Sequence, residues 1–246
     1  STDITIEKIS FQYDSRTDPV INCLSLKIAR GETVGITGQS GSGKSTLVDL
    51  LLGLYDVESG QIKVNDTNLV EIDRASWMER IGVVDQQPFL FNGSIRENIA
   101  FGAKDATDAD IHDAAVRAHA AEFIGSFPKG YDTQVGDRGV LLSGGQIQRI
   151  TIARALVRKP ELLVFDEATS ALDSHSEKLI QKTVEAEHGK ATVVVVSHRL
   201  STLVSADRII VLDEGRIIEQ GAPKALMAQD GAFKRMWDAQ LRATNH

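Results

Sequence analysis

Nine consecutive residues near the start of the chain have the composition of a phosphate-binding loop. Gly38-Gln39-Ser40-Gly41-Ser42-Gly43-Lys44-Ser45-Thr46 matches the pattern G-x-x-x-x-G-K-[ST] completely. The glycines let successive backbone N–H groups point at an anion, and a helix that begins there adds partial positive charge. Lys44 can reach the β- and γ-phosphates of a nucleotide, and the Ser45 hydroxyl can ligate Mg²⁺. The loop therefore predicts binding of a nucleoside triphosphate, with a chance Gly/Ser-rich turn as the alternative.

Two carboxylates stand at the end of an apolar run, where Leu162–Phe165 is followed by Asp166 and Glu167. In doubly wound sheets, ligands bind beyond the carboxyl ends of the strands. Adjacent residues of a strand point to opposite sides, so the two acids should have different tasks. We assign Asp166 to Mg²⁺ and Glu167 to the attacking water as general base. A solvated strand end is the alternative.

A histidine follows a second apolar run, since residues 193–196 are all valine and are followed by Ser197 and His198. At the carboxyl end of a buried strand, His198 could form a hydrogen bond to the γ-phosphate or to the attacking water. The alternative is a histidine with satisfied hydrogen bonds in the core or at its rim. The strand context favours a functional role.

A second glycine-rich stretch, Leu142-Ser143-Gly144-Gly145-Gln146, precedes a helical pattern. The Ser143 hydroxyl and the unshielded N–H groups of Gly144 and Gly145 predict another anion-binding helix end. A γ-phosphate already held at Lys44 leaves no obvious room for it within the same chain. A plain glycine turn before a helix is the alternative.

The elements that must position these residues are typical of an α/β fold. Polar and apolar residues alternate over most of residues 4–28 and again over 62–64, which predicts antiparallel strands. The continuous apolar runs at 34–36, 162–165 and 193–196 instead predict parallel strands buried on both faces. Each run leads into small or polar residues and then a helical pattern, which is the α/β order.

Residues 88–158 have a different, mostly helical pattern that predicts a subdomain inserted between sheet strands. A capping box of Thr107 and Asp110 begins a helix that the apolar spacing carries to Ala121, before Pro128. A second helix runs from near Gly144 and stops before Pro160. Further on, residues 213–215 predict a hairpin, and a terminal helix contains Phe233, Met236 and Trp237.

Composition narrows the function classes. The 246 residues carry a net charge of −7, so a nucleic-acid partner is not expected. The single cysteine, Cys23, excludes an internal disulfide and a cysteine-built zinc site, which favours a reducing compartment. No segment approaches the ~20 apolar residues that cross a bilayer, and the first ten residues do not form a signal peptide. Any membrane contact is therefore expected to come through a partner.

Taken together, the motifs closely resemble those of the ATP-binding cassette (ABC) ATPases, over essentially the whole chain. Residues 38–46 resemble the Walker A loop, 162–167 the Walker B strand, 142–146 the family signature and 170–173 the D-loop. His198 matches the switch histidine, Gln86 the Q-loop glutamine, and Tyr13 the aromatic residue that stacks on adenine. The resemblance implies ATP and Mg²⁺ as cofactors, with Gln86 near the metal. It also implies an active ATPase, because no catalytic position is degenerate.

The resemblance also implies an architecture and partners. The fold is expected to be a P-loop NTPase (RecA-like) core with an antiparallel β subdomain, formed by residues 1–87 and 159–246 of a single domain, and a helical subdomain at 88–158. Two identical chains are expected to close head to tail on ATP. The signature residues of each would then cover the nucleotide of the other, through Ser143, Gly144, Gly145 and Gln146.

The stretches 83–99 and 135–156 resemble the exporter branch of the family, in which a transmembrane domain precedes the ATPase domain in the same polypeptide. The chain is then expected at the cytoplasmic face of a membrane, and we favour a bacterial inner membrane. Gln86 would pass motion to the transmembrane partner, whose cytoplasmic helices are expected to dock near Pro88–Phe91. Ordinary core packing of these apolar residues is the alternative.

Three rival functions are kept as alternatives. A DNA-repair or chromosome-maintenance ATPase would carry long coiled coils between the Walker A loop and the signature, but residues 43–142 contain no heptads. A P-loop kinase would need a phosphoryl acceptor site and would lack the signature. An importer ATPase is disfavoured by the stretch Ser94–Ile99 and by the missing extra regulatory domain. The transported substrate cannot be named from these residues.

Overall fold

The computed structural model describes residues 1–15, 18–85, 87–103, 105–136, 139, 141–166 and 174–244. Its strands are β1 Ile4–Phe11, β2 Ile21–Ile28, β3 Thr33–Gly38, β4 Ser59–Val64, β5 Thr67–Asn68, β6 Ile81–Val84, β7 Leu162–Asp166, β8 Thr192–Val196, β9 Arg208–Asp213 and β10 Arg216–Gly221. Its α-helices are α1 Lys44–Leu51, α2 Arg74–Glu79, α3 Ile95–Ala100, α4 Asp108–Arg117, α5 Ala121–Ser126, α6 Gly144–Leu156, α7 Ser174–Glu187, α8 Pro223–Ala228 and α9 Ala232–Thr244. Of the helices described, none has both the length and the apolar composition needed to cross a membrane.

As predicted, the alternating segments form antiparallel strands. They lie in one sheet, in the order β2-β1-β4-β5. Ile4 of β1 lies opposite Ile28 of β2, and Ile6 lies opposite Leu26. These side chains are buried, whereas the residues between them are more exposed. Period-two alternation therefore gives the sheet one apolar face, which packs against the rest of the core.

The continuous apolar runs form the centre of a second sheet, in the order β10-β9-β3-β8-β7-β6. Strands β3, β6, β7, β8 and β9 pair in parallel, and β10 closes one edge as the antiparallel partner of β9. The predicted hairpin lies there, with Glu214 and Gly215 both in the left-handed region at φ values of 46° and 72°. Edge strand β6 was not among the predicted strands.

The central sheet separates two apolar clusters, and strands β6, β7, β8 and β9 each contribute side chains to both. Leu163 and Phe165 of β7 pack into a cluster with the helices α3–α7 and α9, whereas Leu162 and Val164 pack with α1 and the antiparallel sheet. The sheet is therefore the middle layer of the fold, as expected for strands that are buried on both sides. The carboxyl ends of β3, β7 and β8 meet at one edge.

The chain between β6 and β7 contributes α3 to α6, which lie within residues 88–158. The single helix predicted from Thr107 to beyond Ala121 was wrong, because α4 ends at Arg117 and α5 begins at Ala121. His119 takes a left-handed conformation, with φ at 53°. The N–H of Ala120 donates to Ala115 O at 2.7 Å and that of His119 to Val116 O at 3.0 Å. These two bonds form a Schellman ending, in which histidine replaces the usual glycine.

Candidate nucleotide-binding site

The predicted phosphate-binding loop connects β3 to α1, and its backbone requires glycine at two positions. Gly38 has a φ of +151°, and a Cβ there would lie 2.2 Å from Leu212 O. Gly43, the N-cap of α1, has a φ of +104°, and a Cβ would meet the Ile21 side chain at 2.9 Å. Gly41 also has a positive φ, of +80°, but a Cβ there would meet nothing within 4 Å. The surrounding core thus fixes the loop at Gly38 and Gly43, whereas the loop faces open space at Gly41.

In front of the loop lies a cavity of about 310 Å³. It brings together the loop, the predicted adenine-stacking Tyr13 and the predicted switch histidine, His198. Val20, just before β2, also lines it and was not predicted, because no motif marks it. The lining residues are Tyr13, Val20, Ser40, Gly41, Gly43, Lys44, Ser45, Thr46 and His198.

Lys44 lies almost completely buried at the base of this cavity, with 4% of the residue exposed. Its Nζ donates hydrogen bonds of 2.9 Å to Gly38 O and to Gln39 O. An ammonium carries three donors in a compact charge, so the loop carbonyls hold it facing the space in front of α1. Phosphate oxygens could replace these carbonyls as acceptors.

Tyr13 is oriented from several sides. Its hydroxyl shares a hydrogen bond of 3.1 Å with Thr46 Oγ1 on α1. Its ring meets Phe11 edge-on at 4.9 Å and Tyr55 edge-on at 5.4 Å. These contacts fix the ring beside the loop, where an aromatic face could stack on a base.

Asp166 and His198 come from neighbouring parallel strands. Asp166 ends β7 and pairs in register with Val196, which ends β8 two residues before His198. Both side chains are partly exposed. The two residues therefore reach the edge of the sheet at which the phosphate-binding loop leaves β3. Glu167, Gln86 and the D-loop residues 170–173 lie outside the described residues.

The signature residues surround the N-terminus of α6. Ser143 is the N-cap: its Oγ accepts the Gln146 N–H at 3.3 Å, and Gln146 Oε1 accepts the Ser143 N–H at 2.9 Å. Ser143 and Gly144 are exposed, and a Cβ at Gly144 would meet nothing within 4 Å. Among the described residues, none of the signature lines the cavity at Lys44. Within one chain the signature residues are therefore not part of this cavity.

The segment predicted to dock a partner is partly buried. Leu90 is fully buried and Phe91 half-buried, whereas Phe89 is 55% exposed. The expectation of an exposed apolar stretch was therefore wrong for Leu90, which packs in the core with α3 and α6. Phe101 is exposed nearby, and its ring contacts that of Phe91 at 5.1 Å.

Arg154 of α6 holds the backbone of this docking segment. Its Nη1 donates to Phe89 O at 2.8 Å, its Nε to Asn98 O at 2.7 Å and its Nη2 to Asn98 Oδ1 at 2.8 Å. Asn98 in turn accepts the Phe91 N–H at 3.1 Å. Burial lowers the pKa of Arg154 to about 10, which leaves the guanidinium charged at neutral pH. The helix that begins at the signature is thus tied directly to the Phe89–Phe91 segment.

Comparison with known proteins identifies the family of the chain. Residues 21–170, more than half of the chain, match the sequence model of the ABC transporter family. The chain belongs to the ABC transporter family. This confirms the resemblance, the P-loop NTPase fold with its antiparallel sheet, and the prediction of an ATP-binding, ATP-hydrolysing domain.

Bacterial proteins are among the relatives of this chain. YgaD of Bacillus subtilis and a Staphylococcus aureus protein, both provisionally named multidrug export ATP-binding/permease proteins, are 47% and 44% identical to it over 237 residues. A solved bacterial Atm1-family ABC exporter with ATP bound is 42% identical, with a TM-score of 0.89 over 97% of this chain. The chain spans only 41% of the length of the two relatives and 42% of the solved chain.

Proposed function

We propose that this chain is the nucleotide-binding domain of an ABC exporter, in which ATP-driven closure of two copies powers movement of a substrate across a membrane. The observation that carries the proposal is the exposed, capped N-terminus of α6 at Ser143, away from the cavity at Lys44. A second copy placed head to tail would bring its Ser143 and Gly145 to the γ-phosphate held by the first. Such a pairing is isologous and closes at two copies.

The residues that line the cavity bind ATP before hydrolysis. The Tyr13 ring stacks on the adenine and the N–H groups of the loop donate hydrogen bonds to the phosphates. Lys44 exchanges its carbonyl partners for phosphate oxygens. Gly38 and Gly43 keep the backbone close enough for this contact. ATP would thus bind across β3, α1 and the antiparallel sheet.

The donor set also suits Mg²⁺. The Ser45 hydroxyl lines the cavity and the Asp166 carboxylate stands at the carboxyl end of β7, and hard oxygen donors of this kind are those that Mg²⁺ prefers. Among the described residues, no cluster of three or more His, Cys, Asp or Glu could hold a metal by itself. This fits an ion that takes part of its coordination from nucleotide phosphates. Ser45, Asp166 and Gln86 would hold it, and it would neutralise charge on the phosphate oxygens.

Hydrolysis is assigned to residues at the ends of β7 and β8. Glu167 orients a water molecule and removes its proton for in-line attack on the γ-phosphate. His198 and Lys44 donate hydrogen bonds to the oxygens on which charge develops. Loss of the bridging phosphate then removes the contact with Ser143 and Gly145 of the second copy, and the pair opens.

A transmembrane partner is supported by the names of the relatives, which join an ATP-binding part and a permease part, and by the length of those proteins beyond the matched region. We assign Phe89 and Phe101 to its docking surface, since both rings are exposed while Arg154 fixes the backbone of the Phe89–Phe91 segment. The domain then works at the cytoplasmic face of a membrane, for which we favour a bacterial inner membrane. These relatives favour an exporter over an importer or a non-transport ATPase.

Replacing Glu167 by glutamine tests the proposal. Glu167→Gln keeps the size of the side chain but removes the base, so ATP should still bind while turnover falls by roughly 10²–10⁴. The variant should also accumulate as an ATP-bound dimer, measured by sedimentation at saturating ATP. Glu185→Gln, an exposed position on α7, is the matched control and should behave as wild type. Near wild-type hydrolysis would remove Glu167 from its role, and a monomer at saturating ATP would contradict the shared site.

A further inference from the structure

A single amide side chain joins the terminal helix to the segment that carries His198. The Gln240 Nε2–H donates to the backbone carbonyl of His198. The Oε1 of the same side chain accepts the Leu200 N–H at 3.2 Å. Gln240 thus binds the backbone on both sides of Arg199, at the point where the chain leaves β8.

The register of α9 delivers Gln240 to this position. Phe233, in the first turn, is fully buried, and its N–H donates to Glu219 Oε2 at 2.7 Å. Trp237 packs against the same core cluster one turn later. Residues 233, 237 and 240 follow helical spacing and share one face of the helix. The apolar residues therefore fix the rotation of α9, and its buried face ends in the Gln240 amide.

The opposite side of the segment is held by α7. Glu177 accepts hydrogen bonds from Arg199 Nη1 at 2.8 Å, Ser201 Oγ at 2.7 Å and Thr202 Oγ1 at 3.1 Å. Burial opposes ionisation of Glu177, but these donors outweigh it and lower the pKa of the carboxyl below its usual value. Glu177 therefore restrains the side chains after His198, whereas Gln240 binds the backbone of His198 itself.

We propose that Gln240 is a positioning residue for ATP hydrolysis, which acts by fixing the backbone at His198. The inference rests on the proposed role of His198 at the γ-phosphate. His198 lines the cavity, so its ring position depends on where its own peptide groups are held. Displacement of a reacting group by about 1 Å can reduce a rate by up to about 10²-fold, even when the altered residue is remote from the chemistry.

Two variants of Gln240 test the inference in the purified chain. Gln240→Ala removes both hydrogen bonds. Gln240→Glu keeps the length and the acceptor for the Leu200 N–H, but it presents a carboxylate oxygen to the His198 carbonyl. Each should lower kcat for ATP hydrolysis about 10-fold. ADP affinity should stay within about twofold of wild type, because ADP lacks the phosphate that His198 contacts. Gln229→Ala, at an exposed glutamine between α8 and α9, is the matched control.

A double-mutant cycle with His198→Ala separates this role from a general effect on folding. If Gln240 acts through His198, adding Gln240→Ala to His198→Ala should change kcat by less than about twofold. Wild-type kcat in both Gln240 variants, or an equal loss in the two backgrounds, would overturn the inference. So would a parallel loss of ADP affinity. If His198→Ala itself keeps full kcat, the proposed role of His198 fails instead, and the two failures are thereby distinguished.

Discussion

At the residue scale, Tyr13 presents two separable groups to the nucleotide cavity. The ring is positioned by edge contacts with Phe11 and Tyr55, whereas the hydroxyl is tied to Thr46 on α1. Stacking on a base uses the ring, and the hydroxyl contributes only by fixing the ring. The two contributions to ATP affinity can therefore be measured independently.

Tyr13→Ala should weaken ATP binding by about 1–3 kcal/mol, which is the usual contribution of base–aromatic stacking. Tyr13→Phe keeps the ring and should weaken binding by no more than about 1 kcal/mol, the net contribution of one hydrogen bond. Isothermal titration with ATP measures both. Tyr131→Phe, which removes a hydroxyl bonded to His112 away from the cavity, is the control. Equal affinity of Tyr13→Ala and wild type would move the adenine contact to another residue.

The residues that line the cavity, and those that support them, differ in how far sequence could predict them. Lys44, Ser45 and Thr46 belong to a motif whose residue types are fixed by phosphate chemistry, so they could be predicted without a structure. Gln240 and Val20 belong to no motif, and their contacts with the site exist only because distant segments fold together. Gln240 is separated from His198 by 42 residues, and only the register of α9 brings them together.

At the element scale, helix ends decided which predictions succeeded. The capping box at Thr107 and the glycine pair after Ser143 are local patterns, and both helices begin where those patterns predict. The capping box at Ser143 itself was not predicted. The end of α4 was missed because His119, a residue with no strong turn signal, occupies the left-handed position that glycine usually takes. Ala118 and Ala120 are buried on both sides of it, so tertiary packing outweighs the local preference.

The capping box at Ser143 permits a test that separates folding from ATP-driven closure. The Ser143 Oγ accepts the Gln146 N–H through a lone pair, so its O–H can still donate to a phosphate. Ser143→Asp keeps the acceptor, since aspartate caps helices as well as serine does, but it lacks the donor and adds negative charge. Stability without nucleotide should therefore stay within about 0.5 kcal/mol of wild type. ATP-dependent dimerisation should be lost in a sedimentation experiment.

A second N-cap supplies the control for Ser143. Thr107 begins α4 with the same kind of capping box, and Thr107→Asp adds the same charge at a helix outside the proposed closure. This variant should dimerise on ATP as wild type does. If Ser143→Asp dimerises at the same ATP concentrations as the wild-type chain, the α6 N-terminus does not contact the γ-phosphate of a second copy.

At the scale of the whole molecule, the order of strands was beyond the sequence patterns. The apolar runs of β3, β7 and β8 predicted buried parallel strands, but nothing local states that β3 lies between β8 and β9. Strand β6 is only four residues long, and Val83 is exposed, so its pattern was too short to predict. Neighbour relations of this kind are set by the crossover connections and by packing on both faces of the sheet.

The ion pair between Arg117 and Glu187 links the helical segment between β6 and β7 to α7, a helix that packs on the central sheet. Glu187, at the end of α7, has only 2% of its side chain exposed. It accepts from Arg117 Nε of α4 at 3.0 Å and from Nη2 at 2.5 Å. Arg117 also contacts Asp113 on its own helix at 3.4 Å. A bidentate pair of this burial restrains how α4 sits on α7, the helix that follows the Walker B strand and the D-loop.

Glu187→Ala should destabilise the domain by about 3 kcal/mol, because it leaves the largely buried guanidinium of Arg117 with only the weaker Asp113 contact. In a domain of this size the melting temperature should then fall by roughly 6–12 °C, as measured by calorimetry. Glu185→Ala removes an exposed carboxylate from the same helix and should leave the melting temperature within about 2 °C of wild type. The double variant Arg117→Leu with Glu187→Leu should recover part of the loss, since no charge then remains buried without a partner. If Glu187→Ala and Glu185→Ala have the same melting temperature, the ion pair does not hold α4 on α7. Packing of α3 and α4 against α6 alone then sets the position of the helical segment.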